Sequence, residues 1–333
     1  MSKDTRGMGA ALVTGGAGAI GSNLVRELRR LRRRVVVVDD LSSGHFPPQE
    51  DDGCRFLRGR VQDAEILDGA FAQPIDTVYH LAALFANQNS VDHPEEDLLA
   101  NGLGTLRLLE RSSTAGVRRF VYVSSSCVYA PSTAVLTEES PLAPETPYAC
   151  TKLLGEQYTR FFREQRDLSA VSLRLFNVFG PGELPGRYRN VIPNFIACAR
   201  AKKPLVITGS GDEGRTFTFV HDVVEAFLLA GGRREPRRAV YNIASDNYCS
   251  VGDLAQQVIA VTRSPSQLRH SASRPWDRVA ARRASWASAR DDLGYRPQVS
   301  LGEGLARTVE WFERLPPSVG ATQDAEPRGG QRP

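Results

Sequence analysis

Between residues 124 and 152 the sequence gathers the side chains best able to move a proton: Ser125, Ser126, Cys127, Tyr148 and Lys152. The apolar run before Ser124 predicts a buried strand that ends in hydroxyls, and residues from Tyr148 onward predict the first turns of a helix. Tyr148 and Lys152 are four apart, so a helix sets them on one face within reach of each other. A free tyrosine titrates near ~10, and an adjacent ammonium or a cofactor cation is expected to lower that value. A base tuned in this way can take the proton of a hydroxyl while hydride leaves the same carbon. The chain has only four lysines (Lys3, Lys152, Lys202, Lys203) against 38 arginines. Lysine at 152 is therefore not a product of general composition, and the fixed fork of arginine would not imitate a compact ammonium.

Such chemistry needs a hydride acceptor, and the start of the chain offers a place for one. Residues 10–14 predict a short strand, Gly15-x2-Gly18-x2-Gly21 a turn, and the following residues to about 31 an amphipathic helix. Gly15 permits the tight turn, Gly18 lets the backbone approach a pyrophosphate, and Gly21 lets helix lie on strand, with the anion at the positive helix end. A second strand, Val35 to Val38, ends in Asp39, placed to accept hydrogen bonds from an adenosine ribose; it would repel a 2′-phosphate, which favours NAD over NADP. The residues expected to line this cofactor are Gly15, Gly18, Ala19, Ile20, Gly21, Asp39, Ser43, Val61, Leu81, Ala82, Ala83, Asn101, Tyr148 and Lys152. Small side chains at Ala82 and Ala83, at the end of a predicted fourth strand (77–83), would let it lie close. Asn101 falls in a helix predicted over 94–116 and has two readings: a packed core amide, or a donor to the loops at the sheet's carboxyl edge.

Strands and helices alternate through residue 177, with strands also predicted over 54–63 and 170–177, which predicts an α/β fold with a Rossmann-type, doubly wound parallel sheet. The expected division is a flexible tail at 1–9, an NAD-binding domain over 10–180 with returning segments near 216–245, a smaller substrate-binding region over 181–315, and a disordered tail at 316–333. In the substrate region a helix is predicted over 191–202 and a strand over 205–209. At 333 residues, 41% hydrophobic and 24% charged, the composition is that of a soluble globular protein. No apolar run approaches the ~18–20 residues a membrane span needs, and the polar start is no signal peptide, so a cytoplasmic protein is expected. Five scattered cysteines and five dispersed histidines match no zinc or redox spacing; reduced thiols and no metal are expected. The net charge of +4 is mild, and the basic run 26–34, without interleaved aromatics, reads as a solvated helix face rather than a nucleic-acid site.

Taken together, Thr14-Gly-Gly-Ala-Gly18, Ser125, Tyr148-x3-Lys152, His80-Leu-Ala-Ala83, Phe176-Asn177, Asn190-Val-Ile-Pro193, Arg215, Phe219-Val-His-Asp222 and Arg274-Pro-Trp-Asp277 make the chain similar to extended short-chain dehydrogenases/reductases. More narrowly it resembles the NAD-dependent nucleotide-sugar epimerases and dehydratases, over roughly residues 10–315. The resemblance implies Ser125 as catalytic hydroxyl, Tyr148 as base and Lys152 as its partner on the nicotinamide ribose. It also implies that Asn177, Asn190, Arg215 and Arg274 meet the nucleotide diphosphate, that Val191 is a further substrate-binding residue, that Asp277 meets the nucleoside, that the nucleotide is UDP, and that the protein is a homodimer. Two departures are Ala19, where the family usually has an aromatic, and Arg60, where it often has an aspartate near adenine. Ser126 and Cys127 replace the Asp-Glu pair of the 4,6-dehydratases.

The resulting expectation is an NAD-dependent UDP-sugar 4-epimerase, for UDP-glucose or UDP-glucuronate, acting through a transient 4-keto sugar. A dehydratase or a C3/C5 epimerase using Cys127 as proton shuttle is the alternative, against the plainer reading of Cys127 as a small buried thiol. Ser126, Arg187 and Arg189 are candidates for a C6 carboxylate, the two arginines otherwise being exposed residues of an Arg-rich surface. A non-catalytic NAD-binding regulator would leave Ser125, Tyr148 and Lys152 without purpose.

Overall fold

Val35 to Val38 show why the centre of the molecule is a parallel sheet. Four β-branched residues in a row have no polar face, so the strand is stable only where both faces are covered, as in a sheet with helices on each side. In the computed structural model, which describes residues 9–232, 235–273 and 281–315, this segment is fully buried. We number the central strands β1 (Ala10–Thr14), β2 (Val35–Asp39), β3 (Cys54–Arg58), β4 (Ile75–His80), β5 (Arg119–Ser125), β6 (Ala170–Leu175) and β7 (Val240–Ile243). They pair in parallel in the order β7-β6-β5-β4-β1-β2-β3. Alternate side chains go to opposite layers. Val13, Val37, Val121 and Val171 meet Leu24, Leu28, Val223 and Phe227 of helices Ala19–Arg30 and Val220–Gly231. Leu12, Val36, Val38 and Tyr122 meet Leu108, Leu109 and Phe162 on the other face.

Strand order reverses between β1 and β4, and the crevice at their carboxyl ends is where such a fold takes a dinucleotide. The chain leaves the sheet after β6, builds the first part of a second body, returns to lay β7 on the open edge of β6, and then completes that body. That second body has its own core, in which Phe195 and Ile196 of helix Val191–Arg200, Leu254 and Val258 of Val251–Thr262, and Leu305 and Phe312 of Leu301–Glu313 interdigitate. A small sheet joins Tyr248–Ser250, Gly214–Thr216, Ala281–Ala284 and Val135–Leu136, and sets Arg215 opposite Arg282.

Several expected boundaries move. Strand β3 stops at Arg58 and β4 at His80, short of the expected 63 and 83, because the chain turns away there to border the crevice. The helix expected over 94–116 is interrupted: Pro94–Asp97 and Gly104–Thr114 are α-helical, but Leu98–Leu103 is a π-turn. The end tails expected at 1–9 and 316–333 lie, except for Gly9, outside the described residues. The basic run 26–34 is largely paired: Arg29 with Asp51, Arg30 with Glu27 and Arg33 with Asp76. The five cysteines are free thiols. No helix among the described residues is long and apolar enough to cross a membrane, and none of their His, Cys, Asp or Glu side chains cluster as metal ligands.

Candidate active site

The glycine turn after β1 is shaped by what it excludes. Gly15 has φ +70° and a Cβ there would meet the Ala82 nitrogen at 2.7 Å; at Gly21 a Cβ would meet the Gly15 carbonyl oxygen at 2.1 Å. Helix Ala19–Arg30 begins at Gly18 with no side-chain cap and no acidic residue in its first turn. Its free N–H groups and positive end therefore face the crevice, ready for an anion. Asp39, at the end of β2, accepts from Ala17 N and Leu41 N, both at 2.9 Å. Burial pushes its carboxyl up, against the pull of those two amides. Each oxygen keeps acceptor capacity for a ribose hydroxyl. Ser43, Val61, Leu81, Ala82 and Ala83, with Ala19 and Ile20, line the same cavity of about 1430 Å³. These groups fit NAD.

His80 shows how the wall at Ala82 is held. Ala82 N donates to Thr14 Oγ1 at 3.2 Å, Thr14 Oγ1 lies 2.7 Å from His80 Nδ1, and His80 Nε2 lies 2.9 Å from Thr105 Oγ1, which donates to the Asn101 carbonyl. The chain of donors is consistent with a neutral ring carrying its proton on Nε2. Burial, aided by the Lys152 charge, lowers His80 to about 3. Asn101 does not line the cavity. Its amide accepts from Leu84 N at 2.8 Å and donates to Asp97 at 2.8 Å and to Leu84 O at 3.3 Å. Of its two readings, the structure selects the loop-holding one, and its place among cofactor contacts is corrected to a positioning role. The π-turn is what aims it: the extra residue rotates Asn101 toward the loop after β4 while Leu98 and Leu99 stay exposed.

Strand β5 and helix Pro147–Gln165 bring the remaining groups together. Thr146 caps the helix, accepting from Ala149 N, and Tyr148 N is held by Ser90 Oγ at 3.0 Å. The Ser125 hydroxyl accepts from Cys127 N at 3.2 Å and lies beside the Tyr148 phenol, both lining the same cavity. Lys152 donates to the Val123 carbonyl at 2.9 Å, and its ammonium lies 5.7 Å from the centre of the Tyr148 ring and 5.3 Å from that of Tyr122. The expected lowering of Tyr148 by Lys152 is not found in the protein alone. Burial drives Tyr148 well above its ordinary value, Cys127 and Asp97 add to this, and only the neighbouring Ser125 hydroxyl opposes it. Burial also depresses Lys152, to about 8, against the pull of Asp97. Below the site, Glu156 takes both forks of Arg174 at 2.8 and 2.7 Å and a hydrogen bond from Ser124, which ties helix to β5 and β6.

Asn177, Asn190, Val191 and Arg215 line the far end of the same cavity, as do Ser126 and Cys127. Asn177 donates to Thr216 O at 2.8 Å, and Asn190 donates to Glu183 at 3.0 Å. Arg187 and Arg189 border the cavity, but their guanidinium groups are engaged elsewhere. Arg187, 71% exposed, pairs with Asp92, and Arg189 donates to the Ser43 carbonyl at 2.7 Å. Both guanidinium groups thus already have protein partners. Arg274 and Asp277 lie outside the described residues. Among the groups lining the cavity that were not anticipated are Asn87, Glu183 and Arg282. Glu183 is raised by burial to about 7, against Arg189 and the Asn190 amides. Only its apolar setting after the glycine-rich turn at 180–182 hinted at this.

A dinucleotide crevice running into a hydroxyl, phenol and ammonium cluster defines a Rossmann-type NAD-dependent enzyme. Residues 11–244 match the NAD dependent epimerase/dehydratase family, and the chain belongs to it. Over 308 residues it is 36% identical to a UDP-glucose 4-epimerase of Mycolicibacterium smegmatis, covering 90% of this chain and 97% of that one. An epimerase structure from Methanothermobacter thermautotrophicus superposes with a TM-score of 0.87 at 44% identity, covering 92% of each chain. MoeE5, solved with NAD and UDP-glucuronic acid, superposes with a TM-score of 0.84 at 36% identity, covering 92% of this chain and 99% of that one.

Proposed function

We propose that the protein inverts C4 of a UDP-linked hexose. The observation that carries this reading is the buried Tyr148 side chain, which shares with Ser125 and Lys152 a cavity continuous with the glycine turn. In this reading Ser125 and Tyr148 receive the 4-hydroxyl, and Tyr148 takes its proton. NAD, when bound, supplies the acceptor that removes and returns the hydride, together with a positive charge that offsets the effect of burial on Tyr148. Lys152, fixed by Val123, keeps an ammonium beside the phenol and within reach of a ribose. Asn177, Asn190 and Arg215 hold the diphosphate, where a guanidinium fork suits phosphate. UDP as carrier draws on the UDP-glucose 4-epimerase relative and on the UDP-sugar bound to MoeE5. Loss of water from the sugar would need an acid for the departing hydroxyl and a base for the neighbouring carbon, and Ser126 and Cys127 supply no carboxyl. Incubation with UDP-glucose, UDP-N-acetylglucosamine and UDP-glucuronate, read by proton NMR, tests the proposal. At least one 4-epimer should form, and Tyr148→Phe should lower kcat by about 10²–10⁴-fold; no 4-epimer from any of the three would sink it.

A second reading is favoured by one observation. Burial opposes ionisation of the Cys127 thiol, but the Arg282 charge, aided by Ser125 and by the Asn87 amide that donates to the sulfur, outweighs it and leaves the thiol below its ordinary value. Such a thiol could trade a proton at a carbon beside the ketone. Deuterium at C3 or C5 after turnover in heavy water would support that chemistry, and its absence would exclude it.

A further inference from the structure

The sugar end of the cavity contains a guanidinium that the proposed C4 chemistry does not use. Arg282 lies on strand Ala281–Ala284, held between Gly214–Thr216 on one side and Val135–Leu136 on the other. Its Nη1 donates to Cys127 Sγ at 3.4 Å, and among the described residues it forms no ion pair. Asn87 Nδ2 approaches the same sulfur at 3.5 Å. The orientation of that amide is set from behind, since Thr146 Oγ1 donates to Asn87 Oδ1 at 2.7 Å and so turns the NH₂ toward the cavity. Two positioned donors, one of them charged, thus converge on a thiol, which is a weak acceptor. When a sugar displaces water here, a neutral substituent would leave the guanidinium desolvated without an anion, a costly state. A carboxylate would present two oxygens to the two donors.

The position of this pair selects which part of the sugar meets it. Cys127 N donates to Ser125 Oγ at 3.2 Å, so the thiol stands beside the hydroxyl assigned to the C4 oxygen. C4 is flanked by C3 and C5; C3 carries a neutral hydroxyl, whereas C5 bears C6, which in a uronate is the carboxylate that two convergent donors suit. We propose that the substrate is a UDP-uronate and that Arg282, with Asn87, receives its C6 carboxylate and sets specificity; this rests on the C4 reading above. Arg187 and Arg189, tied to Asp92 and Ser43, leave this role to Arg282.

The test compares kcat/KM for UDP-glucuronate and UDP-glucose in the NAD-loaded protein and in Arg282→Met and Arg282→Lys. The parent should favour UDP-glucuronate by more than about tenfold, Arg282→Met should reduce the uronate-to-hexose ratio by about 10–100-fold, and Arg282→Lys should keep part of it. A parent that prefers UDP-glucose, or an Arg282→Met that lowers both substrates equally with normal NAD content and Tm, overturns the inference. Competition of the two nucleotide sugars for binding to the parent protein needs neither turnover nor a variant. If neither of these nor UDP-N-acetylglucosamine is epimerised, the C4 reading fails; if UDP-glucuronate shows no binding advantage over UDP-glucose, the assignment of Arg282 fails.

Discussion

Gly155 controls how closely the helix that bears Tyr148 and Lys152 approaches the strand that ends in Ser125. In Gly155→Ala the new methyl would lie 2.1 Å from Tyr122 Oη and 2.3 Å from its Cζ, against about 3.4 Å or more for ordinary contact, so the two elements must part by more than about 1 Å. Tyr122 has nowhere to retreat. It is 1% exposed, lies against His80 and the Lys152 ammonium, and donates to the Lys152 carbonyl at 3.3 Å. The helix therefore moves, and Tyr148, two turns upstream, moves with it relative to Ser125. Overpacking of this kind costs about 1–3 kcal/mol, and a displacement near 1 Å at the reacting groups costs about 10²-fold in rate. The expected result is a lower Tm together with a kcat reduced by about two orders of magnitude. Gly69→Ala is the control: it lies in helix Ala64–Ala70, and its Cβ would only touch Leu57 Cδ1 at 3.6 Å, so it should leave both quantities near the parent. Should Gly155→Ala match that control in Tm and kcat, the close approach of helix and strand does not set the catalytic geometry.

Two further expectations concern the loop at 182–190. Burial raises Glu183 from 4.5 to about 7, so between those values the folded protein holds a proton that the unfolded chain has released; the stability it contributes is present at low pH and lost as pH rises through about 7. Glu183→Gln, neutral throughout, should gain about 1–3 kcal/mol relative to the parent between pH 5 and pH 8 in urea unfolding, and a pH-independent difference would refute this. Arg189 joins that loop to Ser43 beside the ribose site. Removing one charge-assisted bond at this half-buried position should speed NAD release by roughly 5–10-fold in Arg189→Ala, measured by displacement of bound NAD, and an unchanged rate would show that the contact does not retain the cofactor.

The features legible in the sequence are those whose cause is local. The glycine turn, the valine strand ending in Asp39, and the Tyr148–Lys152 spacing each follow from backbone sterics or helical period over fewer than about ten residues. What was not legible depends on distant partners. Arg282 meets Cys127 across 155 positions, and nothing near either residue announces the contact. Asn101 looked ambiguous because its role depends on a π-turn, which no period of 3.6 or 2 reveals. The sign of the Tyr148 shift was misjudged for a related reason: spacing shows that an ammonium is near, but only the packing around both shows that burial outweighs it.

Strand β7 has a consequence for how members of this family can be recombined. Because Val240–Ile243 completes the sheet along β6 between two parts of the second body, residues 191–216 and 248–313, that body is not a cassette at one end of the chain. A chimera made with a single crossover near residue 180 would pair β6 of one parent with β7 of another, and the seam would run through Tyr241 and Ile243, both fully buried. Exchange of the whole second body by grafting therefore requires three junctions, one near residue 180 and one on either side of the returning helix and strand.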